Sequence, residues 1–225
     1  MKKQWDTDAL ISRFEDNRNP ELAAPMAAYM KHHFPFLGIQ KPLRTALMKE
    51  HLSAFLLPEK AQLKSIVHTL YALPEREYHY AAIELLEQAK KELTPGDLPF
   101  LRLLIESNSW WDTVDTIAPK LVGHIVLLDR TTTAPLLVEW AHAENLWTQR
   151  AVILHQLKFK QQTDTKLLGS IISLHAESRE FFIQKSIGWA LREYAKTDSV
   201  WVLDFVSTHT LQPLSKQEAL KHIKK

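Results

Sequence analysis

Residues 107–117 read SNSWWDTVDTI, two adjacent tryptophans followed by two aspartates three positions apart. Successive residues of an α-helix point about 100° apart, so the two indoles cannot fill one pocket. With Ser109 as N-cap and Asp112 three residues on, a Ser-x-x-Asp arrangement can satisfy the free N–H groups at a helix start. Trp110, Val114, Ile117 and Leu121 then fall at i, i+4, i+7 and i+11, the spacing of a core stripe. Trp111 and Asp115 share a different face, with a large aromatic one turn from a carboxylate. The pattern breaks in the same way in KSIGWALREYAK (185–196), where Ile187, Leu191 and Tyr194 are the apolar stripe and Lys185, Trp189, Arg192 and Lys196 fall largely opposite. In NLWTQRAVILHQLKFK (145–160), Arg150 and Lys158 are eight residues apart, about two turns of one helix. Cations attract a polyanion, while a carboxylate beside indole faces can oppose positive charge or move a proton. Together these residues suggest a groove that holds a polyanion and does chemistry on something flat or cationic within it.

The elements that must position them are helical. Glycine is scarce, five in 225 residues, and apolar spacing of i, i+3, i+4, i+7 recurs almost from end to end. Helices are expected at 6–17, 20–33, 41–56, 59–71, 75–92, 96–106, 109–127, 132–143, 146–159, 164–176, 179–195, 198–208 and 215–223. Breaks such as Asn19-Pro20, Leu57-Pro58, Leu73-Pro74, Thr94-Pro95-Gly96 and Gln212-Pro213 separate them. None is long or polar enough to be a linker, so 1–225 reads as a single domain. Successive helices pair into units of about 35 to 40 residues, slightly under the period of HEAT or armadillo arrays. The expected fold class is all-α, a curved α-solenoid of HEAT-like helical repeats, with a compact bundle as the alternative.

Composition removes several function classes. The sequence has no cysteine, which excludes disulfides, thiolate metal sites, iron–sulfur clusters and thiol catalysis. No apolar run approaches the roughly 20 residues that a membrane span needs. MKKQWDTDAL has no unbroken apolar segment of the secretory kind, which makes a cytoplasmic location the expectation. The formal charge of +2 requires that any polyanion be met by a local patch. Neighbouring His32 and His33 diverge on a helix and no metal-ligand spacing is present, so no metal or cofactor is expected. Glu84, Glu87, Lys90 and Lys91 read as a solvated helix face, Phe34, Phe36 and Leu37 as core, and KHIKK (221–225) as a terminus that adds to the positive field.

Five stretches, MAAYMKHHFPFLGIQKPLR (26–44), SWWDTVDTIAPKLVG (109–123), LWTQRAVILHQLKF (146–159), IGWALREYAK (187–196) and LQPLSKQEALKHI (211–223), together resemble the AlkD family of bacterial DNA alkylation repair glycosylases. The similarity runs from near residue 5 to the C-terminus. It implies a C-shaped solenoid with duplex DNA in its concave face, and removal of N3- and N7-alkylated purines such as 3-methyladenine and 7-methylguanine. By position, Asp115 looks like the family's catalytic carboxylate and Trp111 and Trp189 like the indoles flanking the lesion's deoxyribose. Arg150 looks like a backbone-phosphate contact, Arg192 and Lys158 like further ones, and Tyr29 like an aromatic near the lesion-facing cleft. Leu43 departs from the pattern, in a stretch where an acidic residue is expected.

An N3- or N7-alkylated purine is already cationic and leaves without a general acid. The resemblance implies hydrolysis on double-stranded DNA with the lesion left stacked; a solenoid that cradles DNA needs no partner, so a monomer is the expectation. A non-catalytic helical-repeat module binding DNA structure or a protein partner is the alternative, since one fold serves many functions.

Overall fold

The computed structural model describes residues 2–223; Lys224 and Lys225 of the KHIKK terminus and Met1 lie outside the described residues. The chain forms two compact units, Met1–Glu92 and Leu93–Lys225, and the expected Thr94-Pro95-Gly96 break falls just past their boundary. Both are helical, and their consecutive helices pack on one another as in helical repeats. No helix among the described residues is long and apolar enough to cross a membrane.

The first unit contains α1 (Thr7–Glu15), α2 (Pro20–Tyr29), α3 (Lys41–Ala54), α4 (Lys60–Tyr71) and α5 (Arg76–Gln88). Asp6 caps α1 by accepting from the Ala9 amide, and Asn19 caps α2 by accepting from Glu21 and Leu22. α1 and α5 pack on α3, and α4 packs on α5, over a core that includes Leu10, Phe14, Met48, Leu63, Val67, Tyr78 and Leu85. Helix α2 stops four residues earlier than its spacing suggests, because Lys31 and His32 take φ of 56° and 58°. The two histidines therefore stand in a left-handed turn rather than on a helix.

The segment after that turn is held from below. Glu77 is fully buried, and its carboxylate accepts from the amides of Leu37, Gly38 and Ile39 at 2.9, 2.9 and 3.0 Å. Gly38 has φ 90°, and a Cβ on it would lie 2.0 Å from the Asn19 carbonyl oxygen, so only glycine fits. Phe36 and Leu37 are core as expected, whereas Phe34 is half-buried beneath the Arg76 guanidinium, 3.8 Å from its ring centroid.

The second unit contains α6 (Leu98–Glu106), α7 (Trp111–Ile117), α8 (Gly123–Leu128), α9 (Arg130–Ala141), α10 (Leu146–Leu154), α11 (Thr165–Leu174), α12 (Phe181–Tyr194), α13 (Ser199–Thr208) and α14 (Pro213–Leu220). Helix α10 is its hub and touches α6, α7, α9, α11 and α12. Seven of its nine residues are buried, so it is hidden on almost every side. The single helix expected over 109–127 is instead α7, a π-helical turn at Ala118–Val122, and α8. Pro119 has no N–H to give the Asp115 carbonyl four residues back, and the ladder widens there.

His155, just past α10, is 1% exposed, and its Nδ1 lies 2.6 Å from the Val152 carbonyl. A carbonyl only accepts, so Nδ1 carries the proton and the buried ring is neutral. Burial pushes its pKa down from 6.5 to about 4, with Arg130 adding to the fall and the Val152 carbonyl and Asp164 opposing it. The folded state thus takes up a proton less readily than the unfolded chain, so this contribution is whole above about pH 6.5 and is lost as pH falls toward 4. Urea unfolding across that window should show a loss of up to about 3 kcal/mol that His155→Leu removes. An identical pH slope in the variant would refute the assignment.

Candidate functional site

The site of the second unit is built on α7, α10 and α12. α7 begins at Trp111, with Trp110 as the N-cap residue in extended conformation (φ −161°, ψ 164°). Ser109 does not cap it: its Oγ donates to the Ile105 carbonyl at 2.7 Å, tying the turn back to α6. The Ser-x-x-Asp cap is therefore corrected. The helix starts one residue later than the spacing suggests, which puts Trp110 and not Ser109 at the N-cap position, and no side chain caps it.

Val114, Ile117 and Leu121 are fully buried, as the stripe requires. Trp110 is only half-buried and packs in an aromatic cluster, 5.4 Å from Trp147 and 5.1 Å from Phe182 between ring centroids. It stays a packing residue, at the edge of the core. Trp111 is half-buried one turn before Asp115, and Trp189 is half-buried on α12.

Asp115 is not the exposed carboxylate that its polar spacing suggests. Its side chain is 15% exposed and that of Arg150 5%, and the two form a bidentate pair: Nε to Oδ1 at 2.7 Å and Nη2 to Oδ2 at 2.8 Å. The third guanidinium nitrogen, Nη1, donates to the Phe182 carbonyl in the first turn of α12. One arginine on α10 thereby joins the helix that carries Asp115 to the helix that carries Trp189. Seven residues, about two turns, separate Phe182 from Trp189 along α12.

Burial lifts the Asp115 carboxyl above its ordinary value of 3.8; the Arg150 bonds and charge oppose the rise and Asp112 adds to it. Arg150 occupies one lone-pair direction on each carboxylate oxygen. An ionised carboxylate has about four such directions, so acceptor capacity remains for a water or for developing positive charge. The base of α10 is fixed in turn: Asn145 caps it, and Thr148 Oγ1 donates to Glu106 at 2.7 Å on α6.

The cations expected around the groove have separate fates. Helix α10 ends at Leu154, so Lys158 follows in a turn and is exposed, while Arg150 is 4% exposed within the helix. The two do not share a helix or a face as their spacing suggests. Arg192 binds Glu218 on α14, and Lys185 binds the same carboxylate. Tyr29, 70% exposed, belongs to the first unit, where it ends α2. Sequence reasoning misses Glu218 altogether and treats Arg150 as a surface cation. The signal for the latter is present in LWTQRAVIL, whose composition leaves little polar face for an arginine to occupy.

The sequence profile of the family described as DNA alkylation repair enzyme matches residues 10–223, which takes in both units. A solved structure described as a predicted DNA alkylation repair enzyme from Enterococcus faecalis is 37% identical, with a TM-score of 0.86 over 92% of this chain and 97% of its own. The solved structure of smu.31 from Streptococcus mutans UA159 shares the fold at 18% identity, with a TM-score of 0.61 over 82% of this chain and 99% of its own. No curated protein matches the chain.

Arg150→Met leaves Asp115 buried without its counter-charge. Breaking a buried pair from one side costs about 3–5 kcal/mol, so denaturant unfolding at neutral pH should show a loss of that order. A carboxyl whose folded pKa is raised contributes stability below its unfolded value and loses it as pH rises through the folded one. The penalty of the variant should therefore shrink on acidification, as the orphaned carboxyl takes up a proton. A penalty equally large in acid would contradict this account.

Proposed function

The chain belongs to the DNA alkylation repair enzyme family, and from that membership we propose that it is a monofunctional DNA glycosylase that excises cationic N3- and N7-alkylated purines from duplex DNA. The observation that carries this reading is the largely buried Asp115 carboxylate, bonded by two guanidinium nitrogens of Arg150 and one helical turn from Trp111.

Alkylation at N3 or N7 gives the purine a positive charge, and the base departs with the electrons of its glycosidic bond. Positive charge then builds on the deoxyribose, and water must add at C1′. Asp115 opposes that charge and orients or deprotonates the water, a role that suits a carboxyl lifted above its usual range. Trp111 and Trp189 present indole faces, whose negative π-density stabilises the same charge by about 0.5 to 2 kcal/mol each. Phosphate contacts fall first to the exposed Lys158, because Arg150 is already committed to Asp115 and the Phe182 carbonyl and Arg192 to Glu218. Tyr29 is assigned to the DNA-facing surface by resemblance alone.

The lesion stays stacked in this reading, and selectivity comes from the lability of a cationic base rather than from a base-reading pocket. Neutral hypoxanthine should then be a poor substrate, and the product should be an intact abasic site with no covalent enzyme–DNA adduct. The non-catalytic alternative would use the Asp115–Arg150 pair only as a structural joint.

Free-base release from duplex containing 7-methylguanine, measured beside duplex binding, tests the proposal. Asp115→Asn should lose on the order of 3 kcal/mol of transition-state stabilisation, a factor of about 100 or more in rate, while still binding DNA. If wild type binds duplex and releases no base, the enzyme reading fails and the scaffold reading takes its place.

A further inference from the structure

Gly188 lets α14 lie directly against α12. A Cβ at that position would sit 2.4 Å from the Glu218 Cβ and 2.9 Å from the Ser215 carbonyl oxygen, closer than any side chain allows. Ser215 Oγ adds a hydrogen bond to the Gln184 carbonyl at 3.1 Å, fixing the pair of helices just before this contact. At the contact itself, Glu218 Oε1 meets Lys185 Nζ at 2.9 Å. Its Oε2 accepts from Arg192 Nη1, which also reaches the Glu218 backbone carbonyl at 3.1 Å.

Lys185 and Arg192 lie seven residues apart on α12, and one carboxylate spans both. Lys185, Trp189 and Arg192 fall at i, i+4 and i+7, so the cations flank the tryptophan on one face. The bonds from Lys185 and then Arg192 hold the Glu218 carboxyl down to about 2, so it is an anion at any working pH. An acid beside cations repels a polyanion, and this one stands between the two cations that flank Trp189. Lys185 retains 36% of its side-chain exposure and Arg192 22%, so both remain within reach of a ligand.

We propose that Glu218 is a built-in competitor for backbone phosphate, neutralising Lys185 and Arg192 beside Trp189 until a phosphodiester of duplex DNA takes its place. This rests on the reading of the protein as a DNA repair enzyme. The exchange swaps one oxyanion for another at the same two cations. It makes the contribution of this face conditional on a phosphate that is positioned to displace the glutamate. Loose, sequence-independent binding is thereby held down, and the duplex must seat fully before these cations engage.

The test is duplex binding as a function of salt, for wild type, Glu218→Gln and Glu218→Asp. Glu218→Gln removes the competitor and should raise affinity at low salt roughly tenfold, with a slope of log affinity against log salt steeper by about 1 to 2, near 0.9 for each additional phosphate neutralised. Glu218→Asp keeps the charge but is one methylene too short to hold both cations, and should fall between the two. It decides the matter if the glutamine variant proves unfolded by circular dichroism. Unchanged or weaker binding with an unchanged slope in a folded variant overturns the proposal. If wild type binds duplex and releases base but the variants match it, the competitor alone is lost. If neither wild type nor variant shows salt-dependent duplex binding, the repair reading falls with it.

Discussion

Burying a carboxylate and a guanidinium together obliges each to satisfy the other, because neither keeps its water. Asp115 and Arg150 meet that obligation with two parallel bonds, and the spare nitrogen of Arg150 extends the joint to the backbone of α12. Ion pairs of this kind add little net stability over an apolar replacement, yet they tolerate very little misplacement. The pair thus acts as a geometric constraint. It sets where α7 stands relative to α12, and with them the half-buried tryptophan that each helix carries, Trp111 and Trp189.

The same logic recurs at the rim of α12. Arg192 and Lys185 converge on Glu218, and α10 is anchored through Thr148 to a glutamate that also holds Arg102. In each case a charged side chain is engaged by another element of the protein. The positive charge around the tryptophans is therefore smaller than a count of lysines and arginines suggests, in keeping with a chain whose formal charge is only +2.

Helix positions were largely legible, since prolines and capping Asp or Asn residues mark their ends locally; α9, α11 and α13 begin within two residues of expectation. What was not legible depends on contacts distant in sequence. Nothing near Ser109 announces that its hydroxyl prefers the Ile105 carbonyl over the next helix. Pro119 fits the apolar stripe and so hides the π turn that it helps to produce. Trp111 and Asp115 could be picked out by their shared polar face, but the burial of Asp115 depends on an arginine 35 residues away. Glu218 has even less local signal, because its partners on α12 become neighbours only through the missing side chain of Gly188.

The Glu77 carboxylate has a bearing on the order in which the first unit acquires its structure. Three successive amides of the 37–39 segment have their acceptor about 40 residues further along the chain. Closing a loop of that length costs entropy that no local contact returns, so the pairing forms late relative to the helices on either side. During synthesis, the segment has emerged well before its acceptor exists. Until α5 leaves the ribosome, water alone can satisfy Leu37, Gly38 and Ile39, and the aliphatic side chains around them wait in solvent for a single distant glutamate.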